Sequence, residues 1–299
     1  MEFFVASIIK ELEILDPGEL CRVCLALPNR LEVEGISFPL HDQMRPGTAF
    51  LAKPWGERTK KYRRRMYTRS NVAKLQPGLL ETFINYTHRE LSDTSIWWQS
   101  VDAQDWYRQG RPIEVRIQID REQGMAIPYE SASVCKPTNL RLEDDGAWES
   151  MPFFCVAFGT GVTPFLAYIR NWVAHHSQPG GLTGLRPLTL VVSAKHFSGL
   201  ICHEELSRIQ KKNPGRFRYC PVLTRTWPAN WVGGRGRLIS VSQNSSGNER
   251  IDISNLLAFL PGLPHGHLRV CGNKEACNQI LTALERGGIV PLSTRMESW

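Results

Sequence analysis

Four short stretches carry residue types whose spacing suits chemistry on a bound anion or beside an aromatic ring. The sharpest is Gly159-Thr160-Gly161-Val162-Thr163-Pro164-Phe165. It falls where the apolar run Phe153-Phe154-Cys155-Val156-Ala157-Phe158 gives way to Phe165, Leu166, Ile169, Trp172 and Val173 at helical spacing. A glycine-rich turn from a buried strand into a helix is a phosphate-binding position. The glycines let the backbone approach a pyrophosphate, and the helix N-terminus offers unpaired N–H groups and the positive end of its dipole. Thr163 suits a cap, and Pro164 suits the first turn, where its missing N–H costs nothing. A GxGxxG fingerprint would place a third glycine where this chain has Pro164, so the turn by itself is a weak signal.

The other three stretches are plainer. Val222-Leu223-Thr224-Arg225 ends an apolar run with a cation, Lys195 follows Val192-Ser193-Ala194, and Arg235 and Arg237 flank Gly236. A sugar 2′-phosphate carries close to two negative charges and is best met by cationic donors, arginine above all. No acidic residue follows Thr224 to oppose an anion there. Cys271-Gly272-Asn273 ends the apolar segment His267-Leu268-Arg269-Val270, so Cys271 reads equally as a site thiol or as a strand cysteine. Arg65-Met66-Tyr67-Thr68 alternates a cation, a ring and a hydroxyl; surface charge and a core aromatic are its ordinary reading.

These stretches need elements to position them. The first half holds short strand-like segments, Val23 to Leu27, Thr48 to Ala52, Leu80 to Tyr86 and Glu114 to Ile119, separated by turn-formers such as Arg45-Pro46-Gly47 and Gln76-Pro77-Gly78. That texture predicts an antiparallel β-barrel or sandwich. From about residue 150 strands and helices alternate: a strand from Leu188, a helix near Glu204 to Lys211, a strand Phe217 to Leu223, a polar loop through Ser242 to Asn248, a helix near Ile253 to Leu260, and a last helix Lys274 to Arg286. Such alternation predicts a doubly wound parallel α/β sheet. The expected division is 1–145 and 146–299, near Asp144-Asp145-Gly146.

Composition narrows the class. The chain has 299 residues, with Lys+Arg 36 against Asp+Glu 29 and a net charge of +7. At 42% hydrophobic it can bury a core, which excludes wholesale disorder. No apolar run approaches the roughly 18 residues of a spanning helix, and Met1 to Lys10 reads as a first strand, with an acid at Glu2 and no basic leader. Eight cysteines without small-domain spacing fit a reducing compartment, so the expected location is the cytoplasm. Cys21-Arg22-Val23-Cys24 has CxxC spacing but lies in a strand-like segment without a completing pair, and no metal site is expected. No cysteine run for a [2Fe–2S] cluster appears. Arg58, Lys60, Lys61, Arg63, Arg64, Arg65 and Arg69, with Tyr62 and Tyr67 among them, superficially resemble an RNA-binding patch, although a solvated basic loop is the plainer reading. His175-His176 sits at an expected helix end, and no GxSxG or HExxH anchors a hydrolase.

Gly159 to Phe165 resembles the GTGxxPF element of the ferredoxin–NADP reductase family, and three further elements stand in that family's order. Arg65-Met66-Tyr67-Thr68 resembles its flavin-binding R-x-Y-S/T, Thr224-Arg225 the element that holds the NADP 2′-phosphate, and Cys271-Gly272 the C-G pair beside the nicotinamide. The resemblance implies a bacterial-type reductase with an FAD-binding barrel followed by an NADP-binding domain. Hydride would pass from NADPH to the flavin, and electrons onward to an acidic acceptor such as ferredoxin or flavodoxin. It implies that Arg65, Tyr67, Thr68, Thr94 and Ser95 hold flavin. Gly159, Thr160, Gly161, Thr163, Pro164, Lys195, Thr224, Arg225, Arg237, Cys271 and Gly272 would hold NADP(H). Trp299, the terminal residue, would shield the flavin face, and Glu297 is a candidate proton relay. The family's second flavin element survives only as Ser92-Asp93-Thr94-Ser95-Ile96-Trp97, and Gly110-Arg111 stands where Gly-Asp is usual, which leaves FAD, FMN and a weakly held flavin open. Other readings are a reductase component of an oxygenase or biosynthetic system, and a flavin-poor nucleotide-binding subunit of the same fold. Lys60, Lys61, Arg63 and Arg64 are the expected docking cations; nucleic acid and membrane are not expected partners.

Overall fold

A computed structural model describes residues 2–16, 19–85, 93–128, 140, 151–176, 187–243 and 249–298. The chain packs as two compact units. The described residues up to 128 and the helix Thr163–His176 belong to the first; residue 140, residues 151–162 and everything described from 187 onward belong to the second. The expected boundary at Asp144-Asp145-Gly146 lies outside the described residues.

In the first unit β1 (Glu2–Asp16) and β2 (Leu20–Ala26) run antiparallel, with register breaks between Ile9 and Glu11 and between Ile14 and Asp16. Such bulges add twist and curl the sheet. β3 (Arg30–Val33) and β4 (Ile36–Pro39) pair apart from it. β5 (Ala49–Lys53) joins it, and β6 (Trp55–Gly56) and β7 (Lys61–Tyr62) form another small pair. β8 (Arg65–Thr68), β9 (Leu79–Asn85), helices α1 (Asp93–Trp98) and α2 (Val101–Arg108), β10 (Pro112–Asp120) and β11 (Met125–Pro128) follow. The sheet order β8-β5-β10-β1-β2-β9, with β11 on β10, makes a nearly closed antiparallel barrel. β10 shows why: Ile113, Val115, Ile117 and Ile119 fall on one face at period two and all are buried. The sequence showed only strands here, whereas α1 and α2 intervene, and α1 sends Trp97 and Trp98, each 1% exposed, into the barrel core.

Two buried ion clusters fix this unit. Arg69, the last cation of the basic run, is fully buried rather than solvated. Its Nε donates to Asn71 Oδ1 at 2.9 Å, one terminal nitrogen to Asp42 Oδ1 at 2.9 Å, and the other to the carbonyl of Gln76 at 3.1 Å and that of Leu79. Arg69 thereby pins the chain after β8 to the start of β9. Helix α3 (Thr163–His176) is tied to the same unit by Arg170, which donates to the Ser70 carbonyl at 3.1 Å and pairs with Glu81. Burial pushes the Glu81 pKa up, but Arg170, Ser70 and Arg22 outweigh it and hold the carboxyl below its ordinary value.

The second unit is a wholly parallel sheet. β12 (Phe153–Phe158), β13 (Leu188–Ala194), α4 (His203–Lys212) and β14 (Phe217–Leu223) come first, followed by the short β15 (Gly234–Arg235). β16 (Ser240–Gln243) and β17 (Glu249–Asp252) pair outside the sheet, where the sequence showed a polar loop. α5 (Ser254–Phe259), β18 (His267–Gly272), α6 (Lys274–Arg286) and β19 (Ser293–Ser298) complete the unit. The order is β15-β14-β13-β12-β18-β19, so the apolar run of β12 is central and buried on both faces, as its composition requires. No helix among the described residues is long and apolar enough to cross a membrane.

Candidate active site

In the second unit the strand order turns at β12: β13 and β14 build outward on one side, β18 and β19 on the other. Ligands of such sheets lie at the carboxyl ends of the strands beside this switch point. Two of the sequence stretches meet there. A 3-10 turn, Gly159–Val162, leaves β12, and Cys271-Gly272 closes β18. A methyl group at Gly161 would overlap the Cys271 carbonyl and sit 2.8 Å from Gly272 Cα. One at Gly272 would sit 2.7 Å from the Phe158 carbonyl oxygen, and Gly272 has φ +138°. These glycines are therefore needed first for backbone to pass backbone, a task that precedes any approach to a pyrophosphate. Because the 3-10 turn runs straight into α3, Thr163 is the first α-helical residue rather than a cap in front of it. Thr160 and Thr163 are buried, and Pro164 packs against Gly47 in the first unit, to which α3 belongs.

Cys271 is wholly buried, and its register partner on β19 is Glu297. Burial, with the Glu297 carboxylate adding to it, holds the thiol well above its ordinary pKa, so Cys271 is protonated and is no thiolate nucleophile. Asn273 caps α6, its Oδ1 accepting from the N–H groups of Glu275 at 3.0 Å and Ala276 at 3.2 Å. Trp299 lies outside the described residues.

The cations gather at the carboxyl ends of β13, β14 and β15. Thr224 N–H donates to the Ala194 carbonyl at 2.9 Å and Arg225 N–H to the Lys195 carbonyl at 3.1 Å, which sets Lys195 and Arg225 side by side. His196 Nδ1 lies 2.7 Å from Thr226 Oγ1 in the same crossing. Arg235 ends β15, donates to the Trp231 carbonyl at 2.9 Å and lies over the half-exposed Trp227 ring at 5.5 Å. Asn255 Nδ2 holds the loop by donating to the carbonyl of Arg237 at 2.7 Å. Arg225, Arg235 and Arg237 are exposed. From Glu205 to Glu249 the intervening sequence holds eight Lys and Arg and no Asp or Glu.

In the barrel unit Tyr67 sits on β8 with its hydroxyl fixed: Trp98 Nε1 donates to it at 3.0 Å, and Thr94 hydrogen-bonds it as well. Burial pushes the phenol up to about 12, so it stays protonated at neutral pH. The ring packs 5.8 Å from Phe50 and edge-on to Trp98 at 6.4 Å. Arg65, Tyr67 and Thr68 are partly exposed on one short strand, and Arg65 donates to the Arg64 carbonyl at 3.1 Å. Thr94 and Ser95 are buried in α1. Asp93 opens that helix and turns its carboxylate to the 56–59 turn, accepting from the Arg58 and Thr59 N–H groups and from Thr59 Oγ1. Burial works against its charge, but the bonds from Thr59 and Arg58 hold its pKa below the ordinary carboxylate range. Ser92 lies outside the described residues.

Residues 155–279 match the family of oxidoreductase NAD-binding domains. The whole chain superposes on solved reductases. Against the Amycolatopsis cytochrome P450 reductase GcoB it is 18% identical, covering 100% of this chain and 69% of that one, with a TM-score of 0.62. Against the cytochrome b5 reductase domain of Ulva prolifera nitrate reductase the identity is 16%, the coverage 99% and 97%, and the TM-score 0.60. A mutant ferredoxin-NADP+ reductase from Plasmodium falciparum with 2'P-AMP matches at 14% identity, 99% and 96% coverage and a TM-score of 0.59. The fold is that of the ferredoxin–NADP reductases. No curated protein sequence matches the chain.

In this reductase fold the donor sets fit nucleotide cofactors. The cluster of Lys195, Arg225, Arg235 and Arg237 suits a phosphate-bearing ribose, and the Trp227 ring beside Arg235 offers a flat face. Arg65, Tyr67 and Thr68 together offer a cation, a ring and a hydroxyl to a flavin. Asp93 is the exception, since its ionised carboxylate at the head of α1 opposes a pyrophosphate there. Trp98 and Trp227 stood outside the sequence-read site, and Asp93 stood in it only as part of a degraded element. The tandem Trp97-Trp98, one residue beyond Thr94-Ser95, was the available sign for Trp98. The CxxC cysteines lie on β2, both buried and with thiols pushed up to about 12 by burial. Cys21 faces the barrel core and Cys24 lies 4.0 Å from Glu81, so they do not form a pair.

Proposed function

We propose that this chain is an NADPH-dependent FAD flavoprotein reductase that passes electrons to an acidic acceptor protein such as ferredoxin or flavodoxin, and that it works in the cytoplasm. The observation that carries the reading is the cation cluster at the ends of β13, β14 and β15, of which Arg225, Arg235 and Arg237 fall in an acid-free stretch of chain. Arg225 and Lys195 would grip the 2′-phosphate, with Arg237 closing on it from the next loop, and Thr224 would fix the crossing that aligns them. Gly159, Thr160, Gly161, Thr163 and Pro164 would carry the pyrophosphate-facing turn, and Cys271 and Gly272 would border the nicotinamide.

When bound, the cofactors supply the hydride and single-electron chemistry; the protein supplies orientation and electrostatics. Arg65 would neutralise flavin phosphate. Tyr67, its hydroxyl immobilised by Trp98 and Thr94, would present a fixed ring, and Thr68 would hydrogen-bond the ring edge. With Asp93 at the head of α1, phosphate contact there is weakened, so flavin is expected to dissociate on dilution. Trp299 would cover the flavin until nicotinamide displaces it. Steady-state assays test the reading. NADPH oxidation should reduce a one-electron acceptor protein, depend on added FAD in dilute enzyme, and proceed far more efficiently than with NADH. Equal use of NADH, or turnover indifferent to FAD, defeats it.

A further inference from the structure

Along the outer side of β14 in the second unit lies an open groove of about 1170 Å³. β15 pairs only with Val222 and Leu223, so Phe217 to Pro221 have no strand beside them on that side among the described residues. That edge is not free to accept a further strand. Gln210 Oε1 takes the Tyr219 N–H, and Pro221 has none to give. A guest in the groove must therefore be held by side chains, and these are strongly one-signed. Arg208 and Lys211 reach it from α4, and Arg216 and Arg218 from the start of β14; all four are exposed, against the single carboxylate of Glu204. Val232, 99% exposed, adds an aliphatic side chain to the lining.

We propose that this groove docks an acidic, extended segment of a partner protein, its carboxylates meeting Arg208, Lys211, Arg216 and Arg218 and one apolar side chain meeting Val232. Single-stranded nucleic acid is the competing polyanion, but it binds by stacking bases on exposed aromatic faces. The groove's rings point inward: Phe217, Tyr219 and Trp231 are 3%, 5% and 8% exposed, and Phe259 is half-buried. None of Lys195, Arg225, Arg235 or Arg237 lines the groove, so a docked segment leaves the cation cluster at the strand ends free for nucleotide.

The test uses the full chain and two labelled twelve-residue peptides, one of alternating glutamate and serine with a central leucine, the other with glutamine in place of glutamate. Fluorescence anisotropy at low salt should show the acidic peptide binding about tenfold or more tighter than the neutral one, with an affinity that falls as salt rises. The double variant Arg208→Glu, Lys211→Glu, on the exposed face of α4, should lose about tenfold or more of that affinity while NADP+ affinity stays unchanged. An Arg216→Glu variant should lose acidic-peptide affinity independently. Equal binding of the two peptides, undiminished binding by both variants, or displacement of the peptide by oligouridylate at lower concentration than by unlabelled peptide overturns the proposal.

Discussion

Arg225→Ala tests the cation to which the proposed function assigns coenzyme choice. The Arg225 backbone is anchored to the Lys195 carbonyl at 3.1 Å, so the substitution removes a guanidinium without freeing the loop that carries Lys195. A charge-assisted hydrogen bond contributes about 1.5–3 kcal/mol. Arg225 is exposed, which favours the low end, about 1.5–2 kcal/mol. At about 1.4 kcal/mol per tenfold, NADPH should bind about 10–30-fold more weakly. NADH, lacking the 2′-phosphate, should change by less than about twofold. The assay is kcat/KM for each coenzyme with one acceptor, together with NADP+ and NAD+ affinities by calorimetry. The loss should appear in KM rather than kcat, since the phosphate is remote from the transferring hydride and contributes uniform binding. A shared loss for both coenzymes refutes the assignment, and so does no loss for either.

Gly161→Ala pushes a methyl into the Cys271 carbonyl and Gly272 Cα, which are backbone and cannot rotate aside. It should destabilise the fold by about 3 kcal/mol, at the upper end of overpacking costs, and a wild-type Tm would contradict the packing described for this turn. Arg69→Met strips the buried Asp42 of its cation and should cost about 3–5 kcal/mol in urea unfolding, with flavin affinity falling because β8 loses its tether to the start of β9. A loss below about 1 kcal/mol would show that Arg69 is a replaceable surface charge. Reversing Lys60, Lys61, Arg63 and Arg64 to Glu should slow reduction of an acidic acceptor protein and flatten its salt dependence, while leaving NADPH affinity unchanged. Loss of RNA binding with unchanged acceptor kinetics would reassign that surface.

Much of the second unit was legible because its signals are local. The run Phe153–Phe158 has the composition of a strand buried on both faces, and Lys274–Arg286 shows a helical period; the structure adds the Asn273 cap. The barrel half hid more. α1 carries Ile96, Trp97 and Trp98, residues with strand preference, and becomes helical because its tryptophans fill the barrel core. α2 did carry a readable start, with Ser100 accepting from Ala103 N–H and Asp102 in its first turn, but only eight residues follow. Arg69 reads as one more member of a basic run, and nothing in its neighbours reveals that Asp42 and two carbonyls enclose it. Gly161 was legible as a glycine that mattered. Its reason, the Cys271 backbone more than a hundred residues onward, belongs to the topology.

The most direct measurement is the visible spectrum of the purified chain, loaded with FAD under anaerobic conditions, before and after one equivalent of NADPH. A yellow flavin band should bleach on mixing, quickly with NADPH and much more slowly with NADH at the same concentration. A colourless protein that takes up no flavin, or a flavin band that NADPH leaves intact, contradicts the proposed function.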